Sequence, residues 1–210
     1  MFLIAFSITG FAKMKAENDY SIYSTSSKNL PNARISNYTI SDHGNIAVVF
    51  YSKEIMIFNQ KGEFVNRIVF KDTPHFSAEY KKGTDVLEVF VFRDNTALLL
   101  REDGTVIEQN KFTSDEKREE IAKSKLRRKY NGNYSYLMKS SFKFPISTCS
   151  TKLIQVRNDT GEERVIIDNK FVSIMESVGL VLVITMVCIV IYVIASRLIF
   201  AILCVVKRIL

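Results

Sequence analysis

Residues 53–70, KEIMIFNQKGEFVNRIVF, hold two short apolar runs on either side of a polar turn. EIMIF and FVNRIVF fit β-strands, and Lys61-Gly62 fits the turn between them, since glycine adopts positive φ at no steric cost. Whether this is a lone hairpin or one copy of a repeated unit decides the architecture. The run before it, NIAVVFY at 45–51, follows a turn at His43 and Gly44. The run after it restates the order: Lys82-Gly83, VLEVFVF from Val86, a polar turn at 93–95, TALLL from Thr96, a turn ending at Gly104, then TVIEQNKF. Equivalent places lie 42 residues apart from Gly62 to Gly104, 42 from Glu54 to Thr96 and 41 from Asn45 to Val86. Such nearly constant offsets mark an internal repeat, carried by turn placement and apolar pattern rather than by matching letters.

A third copy is offered by KLIQVRNDTGEERVII at 152–167, although its Gly161 lies 57 residues after Gly104. An inserted helix over 114–129 accounts for the excess. It is signalled by the T-x-x-E capping box at Thr113 and Glu116, acidic residues in the first turns and basic ones at the end. Before the repeats, YSIYSTSSKNLP at 20–31 is polar, serine-rich and without helical period, which reads as a linker or a loosely held first strand.

Units of this length, with short antiparallel strands and glycine turns, resemble the blades of β-propellers of the NHL, WD-repeat and quinoprotein-like kinds. IMIFNQKGEFVNRIVF and ALLLREDGTVIEQNKF look like the third-strand, turn, fourth-strand piece of such a blade. The chain has no WD dipeptide and no tryptophan, so the WD-repeat family itself is not supported. The resemblance implies an all-β fold: a propeller-like antiparallel meander of about three blade-like units with one inserted helix, followed by a transmembrane helix. As a whole the chain also resembles bacterial single-span membrane proteins of uncharacterised activity, which supply no catalytic residues to carry over.

The membrane element is read from residues 178–196, VGLVLVITMVCIVIYVIAS, 19 positions without a formal charge. That is close to the ~20 residues a helix needs to cross the hydrocarbon layer. Apolar character resumes after Arg197, so a transmembrane helix over 176–206 with a basic tail at 207–210 is expected, Arg197 snorkelling toward the headgroups. At the other end, MFLIAFSITGFAKMK has the apolar length of a signal-peptide h-region but lacks a basic n-region. Residues 1–16 are therefore a signal peptide or an apolar N-terminal segment. Residues 17–36 form the linker or first strand, and 37–170 the β-rich domain.

Arg197, Lys207 and Arg208 follow the span, and basic residues are retained on the cytoplasmic side. The expected topology is a single pass with an extracytoplasmic β domain and a cytoplasmic C-terminus. The net charge of +7 and pI near 9.2 suit attraction to an anionic lipid surface, and nucleic acid is the less favoured partner. Cys149 is the sole cysteine outside the apolar C-terminal run, so no disulfide can close within the domain. With His43 and His75 the only histidines, no metal-ligand spacing exists, and no cofactor is expected.

No P-loop, G-x-G-x-x-G, H-E-x-x-H or G-x-S-x-G string occurs, so no catalytic residue is assigned. Asp42 and His43 offer an acid and a base, but both lie in a turn where such residues serve conformation. The densest charge feature is Lys123, Lys125, Arg127, Arg128 and Lys129. It reads either as a favourable helix C-terminus or as an anion-binding patch, with Tyr130, Tyr134 and Tyr136 close by. N-x-S/T strings stand at Asn37, Asn133 and Asn158. The leading expectation is a membrane-anchored β-repeat binding module for a protein partner or a second copy, rather than an enzyme. The alternatives are a membrane-bound, hydrolase-like enzyme with loop-borne residues, and a small subunit of a membrane complex.

Overall fold

The computed structural model describes residues 20–71, 75–113, 115, 119, 128–140 and 150–209. Strands β1 (Ser21–Thr25), β2 (Ile35–Ile40), β3 (Ile46–Phe50), β4 (Glu54–Phe58) and β5 (Phe64–Lys71) form the first sheet, in the order β1-β5-β4-β3-β2. The second sheet is the meander β6 (Phe76–Tyr80), β7 (Leu87–Val91), β8 (Thr96–Leu100) and β9 (Val106–Lys111). The third is the meander β10 (Arg128–Asn131), β11 (Tyr134–Lys139), β12 (Lys152–Arg157) and β13 (Glu163–Asp168). All neighbouring strands pair antiparallel. Helix α1 (Lys170–Ile209) ends the chain.

The repeat is visible in the strand bounds: β2 to β5 begin 41, 41, 42 and 42 residues before β6 to β9. Strands β3 and β4 show why their sequences are apolar almost without alternation. Side chains along a strand point to opposite faces, and here both faces are covered. Ala47, Val49, Ile55, Ile57 and Ile68 pack on Ala78, Val89, Leu98 and Leu100 of the second sheet. Their neighbours Ile46, Val48, Phe50, Met56 and Phe58 pack on Tyr136, Met138, Leu153 and Ile167 of the third. The first sheet thus lies between the other two. Stacked four-stranded meanders of this kind make the fold propeller-like.

Gly62, the turn residue of the 53–70 stretch, has φ +68, and a Cβ built on it would come 2.6 Å from Ile166 Cδ1. A turn that serves the hairpin also lets the first sheet press against the third. Glycine meets both demands.

Several expected boundaries move. β1 pairs with β5 from Ser21↔Lys71 to Thr25↔Arg67, so the 17–36 segment contains a strand and the domain begins before residue 37. The backbone is helical at Asp115 and Glu119, and the rest of 114–127 lies outside the described residues. Arg128 and Lys129, placed at the end of that helix by sequence, instead belong to β10. Their pairing with Leu137 and Tyr136 of β11 places them in the sheet ladder. The C-terminal helix starts at Lys170 rather than 176 and continues through Lys207 and Arg208, which the sequence reading left as a tail. Neither segment contains a proline or glycine that would stop a helix. The apolar residues 1–16 lie outside the described residues.

α1 is the one described helix long and apolar enough to cross a membrane. Its candidate span is Lys170–Arg197, 28 residues, and none of the most apolar window is buried in the molecule. A single residue, Asn169, separates it from β13. The strand ends on that side form the base of the domain. The turns β2–β3, β4–β5, β6–β7, β8–β9, β10–β11 and β12–β13 form the opposite, distal end.

Candidate functional site

Polar side chains gather in three places: along the inner strands, at the distal turns and at the base. The inner strands β2, β6 and β10 converge because their side chains reach one another. Asn37 Nδ2 donates to Ser77 Oγ at 2.9 Å, and Thr39 Oγ1 donates to Glu79 Oε2 at 2.8 Å. Lys129 on β10 pairs with Glu79 and lies 5.6 Å from the Tyr38 ring centroid. Asn131 Nδ2 donates to the Ser41 carbonyl at 2.8 Å. The Lys129 ammonium is therefore used to tie the third sheet to the second. Lys123, Lys125 and Arg127, the rest of the predicted anion patch apart from Arg128 in β10, lie outside the described residues.

At the distal end, equivalent turns of the first and second sheets clasp each other at the repeat offset. His43 Nδ1 lies 3.0 and 2.9 Å from the two Asp85 carboxylate oxygens, 42 residues away. Gly83 N donates to Asp42 Oδ2 at 2.6 Å. The Asp85 hydrogen bond, reinforced by its charge, holds the His43 pKa above the ordinary imidazole value. Beside this clasp Glu102 Oε1 accepts from Tyr80 Oη at 2.7 Å and Asn45 Nδ2 at 3.0 Å, and the Glu102 carbonyl accepts from Asn66 Nδ2 at 2.8 Å. Burial, more than the Glu102 contact, pushes the Tyr80 phenol far above its usual range, so it stays a neutral donor.

Asp42 and His43 thus face the neighbouring turn. Among the described residues no serine, threonine or cysteine is hydrogen-bonded to His43, and no group of three or more metal-ligating side chains forms. Their partners Gly83 and Asp85 lie one repeat downstream, a relation the 42-residue period carried without naming the atoms.

The base is differently made. Asn169 is buried and donates its Nδ2 to the carbonyls of Pro31 at 2.6 Å and Ala33 at 3.1 Å, while its backbone N donates to the Thr151 carbonyl at 2.9 Å. It joins β13, the start of α1 and the segment before β2 in one knot. Val172 and Ser173 in the first turn of α1 are buried, whereas Phe171, Ile174 and Met175 are exposed. Next to this knot opens a cleft of about 490 Å³ lined by Asn32, Ala33, Arg34, Tyr51, Ser52 and Val172. Lys53, in the same β3–β4 turn, has φ 67, the left-handed region that a lysine rarely occupies. Of the predicted membrane-boundary residues, Arg197 is exposed at the end of the candidate span, and Lys207 and Arg208 lie in the last turns of α1.

No family model matches the sequence, and no curated protein does. Among solved structures, streptogramin B lyase aligns at 10% identity with a TM-score of 0.32, over 70% of this chain and 44% of that one. Virginiamycin B lyase from Staphylococcus aureus aligns at 12% and 0.31, over 70% and 45%. AztD from Citrobacter koseri aligns at 14% and 0.32, over 68% and 37%. The chain spans less than half the length of each of these proteins.

Proposed function

We propose that the chain is a single-pass membrane protein whose β-repeat domain is a binding module, held at the bilayer by α1 and presenting its distal turns to a protein partner. The observation that carries this reading is the joint at Asn169. An all-round apolar helix leaves the base one residue after the last strand, so the distal turns stand on the side away from the lipid. Strands of four to eight residues set that height at roughly 13–26 Å. The domain's polar groups favour recognition over turnover: those at the distal end hold the turns in fixed geometry, and a fixed surface costs less entropy to bind.

Two orientations have support. Arg197, Lys207 and Arg208 favour a cytoplasmic C-terminus and an outside domain. The base favours the reverse, since Arg34, Lys53, Lys71 and Lys170 sit at the strand and helix ends where the domain meets the membrane. Extraction of native membranes with alkaline carbonate tests the anchor: the full chain is expected in the pellet, and release into the supernatant would overturn the reading. An impermeant maleimide applied to intact cells expressing Lys82→Cys, in a chain with Cys149, Cys188 and Cys204 changed to serine, distinguishes the orientations. Labelling places the domain outside, and labelling only after permeabilisation places it inside.

A further inference from the structure

We propose that the base of the β domain is itself a lipid-binding surface, seated in the headgroup layer of the bilayer that α1 enters; the proposal rests on reading α1 as a membrane span. The first turns of α1 give the starting point. Val172 and Ser173 are buried in the domain, while Phe171, Ile174 and Met175 are 60, 50 and 55% exposed. Positions three and four apart share a helix face, so these three form one apolar strip. Val178, Val181 and Leu182, all exposed, continue the strip into the span. The strip begins before Glu176, the last formal charge ahead of the uncharged run, so apolar surface already stands open at the foot of the domain.

The domain adds to this strip from two other segments. Asn169 Nδ2 donates to the Pro31 carbonyl, which brings Leu30, 41% exposed, beside the root of the helix. Tyr51 shares a cleft wall with Val172; its ring meets His75 edge-on at 5.8 Å and stays 53% exposed. Tyrosine combines an apolar ring with a polar tip and is enriched at headgroup depth. Leu30, Tyr51 and the α1 strip thus make an apolar rim at the helix root, drawn from three separate stretches of chain.

The depth agrees with that assignment. Along the axis Ile174 lies about 6 Å and Phe171 about 10 Å outside Val178, against a headgroup layer of roughly 5–8 Å on each side of the hydrocarbon. The stretch 178–206, interrupted only by Arg197, is ~43 Å long against ~30 Å of hydrocarbon, and tilt takes up the excess. A tilted helix lowers one side of the base into the headgroups. Lys53 in the β3–β4 turn and Lys170 at the start of α1 stand at the same end, where cations suit anionic lipid. A second copy seated on the rim would instead set one basic end against another.

The sequence contains no tryptophan, so single substitutions serve as reporters in the full chain, reconstituted in vesicles of phosphatidylcholine and phosphatidylglycerol. Tyr51→Trp and Leu30→Trp report on the rim, Lys82→Trp on the distal end and Ile189→Trp on the span, and circular dichroism checks that each variant is folded. With iodide on both sides of the vesicle, the rim reporters are expected to be at least about threefold less quenched by it than Lys82→Trp, and to be quenched by phospholipid brominated high on its acyl chains. Iodide quenching at both rim positions equal to that of Lys82→Trp, with Ile189→Trp still quenched by brominated lipid, overturns the seating and leaves the span. Rim reporters shielded from iodide and from brominated lipid alike would assign the rim to a protein cover, a second copy or another chain, and overturn the lipid. Absence of lipid quenching at Ile189→Trp overturns the span and the seating with it.

Discussion

At the distal end, Tyr80 and Asn45 both reach the Glu102 carboxylate, and Asp42 and His43 reach the facing turn of the next sheet. At the base, Ser52, Ser173 and Asp168 each keep a buried oxygen without a hydrogen-bond partner among the described residues, and Lys53 holds left-handed backbone. The same strands run between the two ends, so the contrast is not one of fold. One end uses its polar groups to hold sheets together. The other ties its segments through Asn169 and leaves these oxygens unspent beside the apolar helix.

The contrast is broken most strongly by Glu102→Ala, which strips the partner from the buried Tyr80 hydroxyl. A loss of about 2–3 kcal/mol is expected in urea unfolding of the detergent-solubilised chain. Asn169→Ala cuts the knot at the base and leaves the Pro31 and Ala33 carbonyls without their donor, for a loss of roughly 2 kcal/mol by the same measurement. A loss at the base much larger than at the distal end would reverse the comparison.

Lys53→Gly sharpens it. Relieving a left-handed lysine is expected to raise stability by roughly 0.5–1 kcal/mol, the strain removed being partly offset by glycine's greater freedom in the unfolded chain. The smallest effect is a pH dependence at the distal clasp. The folded pKa of His43 is raised by Asp85, so its contribution is fully present below the unfolded value near ~6.5 and is lost as pH rises through the folded pKa. A urea midpoint that declines slightly from pH 6 to pH 9, and does so less in Asp85→Asn, is the expected outcome. Exposure of the pair keeps the effect small.

Much of the scaffold was legible in the sequence, and much of the site was not, for one physical reason. β3, β4, β7 and β8 are buried by neighbouring sheets and so read as apolar runs between glycine turns, which is what revealed the 42-residue spacing. β2 and β6 went unread because their side chains serve contacts between sheets. Asn37, Thr39 and Ser41, with Ser77 and Glu79, interrupt any apolar alternation while being largely withdrawn from solvent. Arg128 and Lys129 looked like the end of a helix because basic residues close helices well, and their pairing with β11 lies beyond any local signal. The cleft at the base is assembled from residues 32–34, 51–52 and 172, so no window of sequence contains it. Asp42 and His43 were conspicuous as a pair, yet their role lay in Gly83 and Asp85, one repeat away.

The knot at Asn169 ties the start of α1 to the segment before β2 and to Thr151. A helix advances about 100° per residue, so the azimuth of the domain around the α1 axis is set by helix phase. Inserting one alanine between Asn169 and Lys170 would turn the helix beyond it by about that angle and carry Val172 and Ser173 out of their buried places.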